Sequence, residues 1–397
     1  MSASMSDPVA PADEAGVAAI VAAAAARRET LAITGQASKA AMLRSVQASR
    51  GLSTRALRGV TLYAPKELVY GAQAGTPVAE IEATLAGEGQ YLIAEPPDLT
   101  ALMGAAGVPS WGGAVAANLS GPRRVAWGAM RDHVLGVRAV NGEGAVIRSG
   151  GRVLKNVTGL DLCKLLAGSH GTLGVLTDIV VKVLPAPERT GTLVLPQPDP
   201  VAGVRVLSAA LGSPYGVSAA AWLPAAAAAR VPGLGADPVA LVRIEDFDAS
   251  VVYRLGRLRE ALGGEAVFDD AAKAIWRAVR DAAPLPAEPD DAVWRVSVRP
   301  SAGPGVLAAT GLRGFLDWGG GLVWLCGPAD AATHETVARA AQGAGGVWML
   351  LRGPEALRAS VAVVPPEPPP LAAITRRVKA ALDPHGILNP GRLYAGV

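Results

Sequence analysis

The chain has 397 residues, half of them hydrophobic and 18% charged, with a net charge of +3. That length exceeds one ordinary core and predicts two domains, and the composition is globular, not disordered. The small charge, with basic pairs scattered at Arg27-Arg28, Arg123-Arg124 and Arg376-Arg377, gives no nucleic-acid footprint. Two cysteines, Cys163 and Cys326, exclude a disulfide framework and a four-thiolate iron–sulfur cluster.

In chain order, residues 1–12 are a loose terminus. The apolar run Ala15 to Ala26 is too short to span a bilayer and follows Asp13 and Glu14 where a signal peptide is basic. It predicts a helix over 13–29 with Arg27 and Arg28 at its end. Leu31 to Thr34 is a short strand. Strand signals follow at 59–62 and 67–72, and helical spacing over 78–87. Glycine and proline then punctuate 96–121. Val134 to Asn141 is a strand, turned by Gly142-Glu143-Gly144 into a return over 145–149. A short helix fits 158–166 and a strong strand 176–184. Pro185 to Pro187 marks a boundary. Beyond it, strands (193–195, 239–244, 293–298, 321–326, 347–351) alternate with helices (200–211, 250–262, 271–280, 333–342). The alternation suits an antiparallel sheet with helices on one face. A proline-rich linker over 365–370 leads to a last helix (371–382) and a tail. No run has membrane-spanning length, so the protein is expected in the cytoplasm, with membrane contact only through a partner.

Three segments place glycine and small polar residues beside strands: Ile33 to Lys39, Pro109 to Arg123, and Gly168 to Thr177. A pyrophosphate needs converging backbone N–H donors, and larger side chains would block that approach. Each loop alone also suits an ordinary turn; together they point to a dinucleotide. Neither the Rossmann G-x-G-x-x-G nor the Walker pattern occurs in suitable context, which disfavours both sites.

The order of these segments resembles the FAD-binding domain of the vanillyl-alcohol oxidase and para-cresol methylhydroxylase (PCMH) superfamily. The run Gly151 to Thr177, Gly121-Pro-Arg-Arg124, Arg131 to Gly136 and the tail His385 to Tyr394 are together similar to the FAD-binding E subunits of bacterial glycolate oxidase (glycolate dehydrogenase). The likeness is strong over 13–190, weak to 370, and returns in the tail.

The resemblance implies an α+β protein with three parts. A two-lobed PCMH-type FAD-binding domain spans 1–187. An α+β cap-like domain spans 188–370. The helix and tail at 371–397 return to the first domain. The implied first pyrophosphate loop is Thr34, Gly35, Gln36, Ala37, Ser38 and Lys39. The second holds Pro109, Ser110, Gly112, Gly113, Ala116, Ala117, Asn118, Ser120 and Gly121, beside the phosphates and one flavin face. Gly168, Gly171, Gly174 and Val175 pass the ribityl or adenine end, and Asn389 approaches the isoalloxazine edge.

Departures exist. Relatives often carry consecutive glycines where this chain has Gln36, and tyrosine where it has Leu160. The four histidines, His133, His170, His334 and His385, include none expected to carry flavin covalently, so noncovalent FAD is implied. Between 190 and 370 there is only His334, read as a solvated helix residue. The histidines and carboxylate that related 2-hydroxyacid enzymes place around a metal are therefore not visible, and no metal or catalytic residue is assigned. The implied function is an FAD subunit of a complex oxidising glycolate, and D-lactate, to the 2-oxo acid. A catalytic flavin subunit and an iron–sulfur subunit would pass electrons to quinone. A self-sufficient FAD-dependent 2-hydroxyacid dehydrogenase and a scaffold with decayed loops stay open. Arg123 and Arg124 are candidates for an anion or for a structural ion pair.

Overall fold

The computed structural model describes residues 7–152 and 160–396. The chain sorts into two compact units. One is Met1–Leu119, Ala129–Ala186 and Pro366–Val397; the other is Ser120–Gly128 and Pro187–Pro365.

The first unit has two cores. In one, the helix Glu14–Arg27 buries Val17, Val21 and Ala24 against Leu31, Leu52, Val140, Val175, Ile387 and Leu388. Asp13 caps this helix by accepting the Gly16 N–H at 2.7 Å, which satisfies an otherwise orphaned donor. Here Leu31–Thr34 pairs in parallel with Arg50–Ser53. The tail lies against its other edge, with Leu31 bridged to Leu388.

The other core lies on a five-stranded antiparallel sheet ordered Val60–Ala64, Val69–Gln73, Val175–Lys182, Val134–Val140, Val146–Gly150. The Val175–Lys182 strand alternates buried and half-buried residues along its second half, as a sheet with one covered face requires. The helix Val78–Gly87 covers that face with Val78, Ile81 and Leu85. The expected 141–144 turn is held by Asn141 Oδ1, which accepts the N–H groups of Glu143 (3.1 Å) and Ala145 (2.8 Å).

The expected helix at 158–166 runs over Leu162–Leu166. Residues 158 and 159, like 153–157 of the run that carries the resemblance, lie outside the described residues. The segment Trp111–Ala116, read as loop because of its glycines, is a short helix. Ser110 caps it and Trp111 is fully buried beneath it.

The second unit carries an eight-stranded antiparallel sheet. Its order is Glu265–Phe268, Arg189–Pro196, Val239–Asp246, Ala219–Leu223, Arg313–Asp317, Leu322–Gly327, Ala292–Ser297, Val347–Arg352. Helices lie on both faces, not one. A side chain at Gly191 would press on Val251 and Leu255 of the helix Asp248–Leu262. The next residue, Thr192, points the opposite way and accepts from Trp276 Nε1 of the helix Asp269–Arg280 at 2.8 Å. The helix expected from 371 starts at Pro369, inside the proposed linker, because proline is well suited to a first helical turn.

Candidate functional site

A cleft of about 260 Å³ opens within the first unit. Thr34, Gly35, Gln36, Ala37, Ser38 and Lys39 line it, with Ser110, Gly112, Gly113, Ala116, Ala117, Gly171, Gly174 and Asn389. His170, inside the third glycine-rich segment, also lines it, as do Arg392, Met42, Ser45 and Thr54, which the motifs did not single out as binding residues. No aspartate or glutamate is among the lining residues.

Other expected residues lie off the cleft lining. The Pro109 carbonyl accepts the Val78 N–H at 2.9 Å. Asn118 Oδ1 accepts the Arg131 N–H at 3.0 Å. Gly168 donates its N–H to Val115 at 3.2 Å, and Val175 is fully buried in the core. Ser120 and Gly121 sort with the second unit, and the Gly121 carbonyl accepts Trp318 Nε1 at 3.1 Å.

The first loop has the strongest anion-binding character. Among the described residues, no protein acceptor takes the backbone N–H groups of Gly35, Gln36, Ala37, Ser38 or Lys39. Those of Gly112 and Gly113 are already used, by the Ala74 carbonyl (2.7 Å) and Ser110 Oγ (3.3 Å). Ala37 has φ of 58°, a left-handed value that alanine adopts only at a cost. Such handedness within a tight loop turns successive N–H groups toward one point. A Cβ on Gly35 would lie 2.1 Å from Ser110 Oγ, so the first and second loops meet only because this residue is glycine. The side chain of Gln36 is stowed: Nε2 donates to the Gly75 carbonyl at 2.9 Å. Glutamine therefore replaces glycine here without filling the cleft.

Lys39 supplies charge. Nζ is 3.2 Å from Ser38 Oγ, and no carboxylate among the described residues is paired with it. Burial lowers it to about 8, with Asp98 acting weakly in the other direction. Burial, then the neighbouring Arg392 and Lys39, lowers His170 to about 3, so its imidazole is neutral at physiological pH. Arg392 donates to the Arg44 carbonyl at 2.9 Å and the Lys39 carbonyl at 3.1 Å, pinning the loop from below.

The tail is fastened by two buried groups. Asn389 Oδ1 accepts the Ile33 N–H at 2.6 Å, and Nδ2 donates to the His170 carbonyl at 2.7 Å and the Ile33 carbonyl at 3.3 Å. Its amide is thus committed to backbone. A Cβ on Gly171 would sit 2.8 Å from that Nδ2, which fixes glycine at 171. Lys379 Nζ donates to Asp383 Oδ2 (2.7 Å) and to the carbonyls of Thr172 (2.7 Å) and Leu388 (2.9 Å). Asp383 in turn accepts the N–H groups of Ile387 and Leu388. Neither Lys379 nor Asp383 had a motif to mark it; an i,i+4 pair on a helix usually reads as a solvated one.

The remaining histidines lie elsewhere. His334 is not on a solvated face: it is buried, and Nδ1 accepts Trp294 Nε1 at 3.1 Å. His133 is buried and His385 is exposed. Among the described residues no cluster of three His, Cys, Asp or Glu is placed to hold a metal, and no helix is long and apolar enough to cross a membrane.

A cleft with free N–H donors, two cations and no carboxylate suits a diphosphate. Comparison with known proteins agrees. The FAD binding domain family matches residues 8–150, and the C-terminal domain of FAD linked oxidases matches residues 367–393. The solved 4-ethylphenol oxidase from Gulosibacter chungangensis superposes with a TM-score of 0.69 at 15% identity, covering 98% of this chain and 89% of that one. An alkyldihydroxyacetonephosphate synthase gives 0.66 at 16% identity, over 96% and 76%. The α+β class and the PCMH-type FAD-binding fold are thereby borne out, and the protein is an FAD-dependent oxidoreductase.

Sequence relatives narrow this further. The glycolate oxidase subunit GlcE of Escherichia coli is 36% identical over 381 residues, covering 92% of this chain and 93% of that protein. The glycolate oxidase subunit GlcD of Bacillus subtilis is 40% identical over 98 residues, 25% of this chain and 20% of that one. A D-lactate dehydrogenase of Anaerostipes hadrus is 40% identical over 85 residues, 21% and 18% respectively. The chain belongs to the FAD-linked oxidases, in the family of glycolate oxidase subunit GlcE. FAD is its cofactor.

Proposed function

We propose that this chain is the FAD-binding subunit of a multi-subunit dehydrogenase that oxidises glycolate, and D-lactate, to the 2-oxo acid. The observation that carries the reading is the match to a glycolate oxidase subunit along nearly the whole chain, 92% of it. Bound FAD supplies a two-electron acceptor for the C–H bond next to the hydroxyl. A catalytic flavin subunit and an iron–sulfur subunit complete the path to quinone, and any membrane contact of this cytoplasmic chain is through them.

The residues of the cleft bind and orient. The N–H groups of Gly35 to Lys39 and the Lys39 ammonium take the diphosphate, whose charge compensates the buried cation. Ser110, Gly112, Gly113, Ala116 and Ala117 supply a wall of small residues along which a flat ring system packs without obstruction. Asn389 and Arg392 hold the loops in register through backbone carbonyls and the Ile33 N–H. His170, neutral, lines the cleft. The FAD is held noncovalently.

The test is the visible spectrum of the purified full chain. A flavin spectrum, with the pigment released into the supernatant by acid precipitation, is expected. Absence of FAD from the preparation, together with no binding on titration, would sink the cofactor assignment. Co-purified with its partner subunits, the chain is expected to support glycolate-dependent dye reduction; alone it is not. Turnover by the isolated chain would instead establish a self-sufficient dehydrogenase.

A further inference from the structure

The Gly121-Pro-Arg-Arg124 run has no role in the cleft. Its two arginines divide in the second unit. Arg123 is a structural partner: it meets Glu245 at 2.7 and 3.0 Å, and Glu245 is also 3.2 Å from the buried Arg243. Arg124 goes elsewhere, with its guanidinium 4.7 Å from the ring centre of Trp318.

A second guanidinium shares that ring. Arg295, on the strand Ala292–Ser297, lies 5.4 Å from the Trp318 ring centre and 4.9 Å from that of Trp324, its cross-strand neighbour. Its Nε is buried without a hydrogen-bond acceptor, and among the described residues the side chain forms no ion pair. Burial and repulsion from Arg124 lower it to about 10, partly offset by Asp317. Two indoles compensate a cation over its faces, but they leave its Nε–H without an acceptor.

Trp318 is itself held in an unusual state. Its φ is 52°, and Gly319 and Gly320 follow at 68° and 104°. A bulky residue in the left-handed region persists only where its surroundings over-determine it, and such strain concentrates at ligand clamps. Here Asp317 accepts the Trp318 N–H at 2.7 Å and the Gly121 carbonyl accepts Nε1 at 3.1 Å. The protein thus fixes one indole beside two guanidiniums and leaves the more buried of them unsatisfied.

We propose that Arg124, Arg295 and Trp318 form a binding site for a small carboxylate anion. A guanidinium's fork matches the two oxygens of a carboxylate, and the second cation adds charge and further N–H donors. That the anion is a 2-hydroxy or 2-oxo acid rests on the proposed function above; that a carboxylate binds here does not. Of the two arginines the sequence offered for an anion, Arg123 is committed to Glu245, and Arg295 joins Arg124 in its place.

The test titrates the full chain, with FAD added, with glycolate, glyoxylate and oxalate. Tryptophan fluorescence and saturation-transfer NMR of the acid report binding; phosphate and sulfate serve as control anions. Saturable carboxylate binding is expected, with Arg295→Met raising Kd by about tenfold or more and Arg124→Met by about threefold to tenfold. The flavin absorbance should be unchanged in both. Arg295→Lys keeps the charge without the fork and is expected to lose most of the affinity too. Should the Arg295 variants not fold, the half-buried Arg124 carries the measurement. Equal affinity in wild type and variants, no saturable carboxylate binding, or equally tight phosphate binding would each overturn the site. Carboxylate binding in a chain that takes up no FAD would refute the flavin reading and leave this one standing; FAD uptake without carboxylate binding would do the reverse.

Discussion

Replacing Asn389 with alanine separates two roles for this residue, fastening the loops or touching the flavin. The side chain is 3% exposed, and each of its polar atoms is spent on backbone: Ile33 N–H at 2.6 Å, His170 carbonyl at 2.7 Å, Ile33 carbonyl at 3.3 Å. Alanine leaves the first two groups unpaired. A buried donor or acceptor stripped of its partner costs about 1–3 kcal/mol, and the longer third bond adds little, so the loss is about 2–4 kcal/mol. The cost falls locally, on Leu31–Thr34 and the 168–171 turn. Hydrogen exchange of a peptide spanning residues 31–39, in the FAD-free chain, reads it directly. A loss of about 3 kcal/mol accelerates exchange at the Ile33 amide by about a hundredfold. FAD affinity is expected to fall as well, because the first loop begins one residue later. Asn389→Asp retains an acceptor for Ile33 but faces the two carbonyls with a second oxygen, so it should be no milder. If exchange in the FAD-free chain stays within about threefold of wild type while FAD binding weakens, the side chain acts on the cofactor and the reasoning fails.

Lys39→Met should weaken FAD binding by about 1–2 kcal/mol, because it removes a charge-assisted hydrogen bond to the diphosphate. Wild-type affinity should be flat below pH 8 and decline above it, because Lys39 is lowered to about 8 in the free chain and a bound anion favours its charged form. Fluorescence titrations between pH 6.5 and 9.5 check both; a variant with the wild-type pH profile refutes the assignment. His170, held near 3 against an ordinary 6.5, favours the folded state fully above pH 6.5, and that contribution is lost as pH falls toward 3. At pH 5 the penalty is about 2 kcal/mol, so His170→Gln should flatten the acid limb of FAD-free thermal melts. Lys379→Met strands the buried Asp383 and removes three bonds, with an expected cost of about 3–5 kcal/mol. A melting temperature within a degree or two of wild type would mean that water replaces the ammonium.

Much of this was legible in the sequence, and the failures have physical causes. The strand Leu31–Thr34 and the helices Val78–Gly87 and Pro200–Leu211 fall where periodicity and breakers put them. Ala219–Leu223 was missed because it is buried on both faces, so it shows no alternation, and alanine has little strand preference. Arg50–Ser53 was missed because a four-residue parallel partner with glycine inside it carries no pattern of its own. Periodicity also cannot tell a helix residue that faces solvent from one under a tryptophan, which is why His334 was misread. Contiguity in sequence is also not contiguity in the fold at Ser120 and Gly121. They follow a cleft-lining stretch in sequence, yet the chain leaves that unit at Ser120 and Arg123 spends its charge on Glu245.

The first loop also favours a working cofactor site over a decayed one. Drift toward a scaffold has no reason to keep Ala37 left-handed, five N–H groups without acceptors, and a recessed lysine without a carboxylate. Each is a cost to the free chain, and a diphosphate would offset those of the open N–H groups and the buried cation. Gln36 departs from the glycine run of relatives, but its amide is tied to Gly75 and takes nothing from the cleft. What distinguishes this loop is therefore how it disposes of a larger side chain, while its backbone N–H groups stay without protein acceptors.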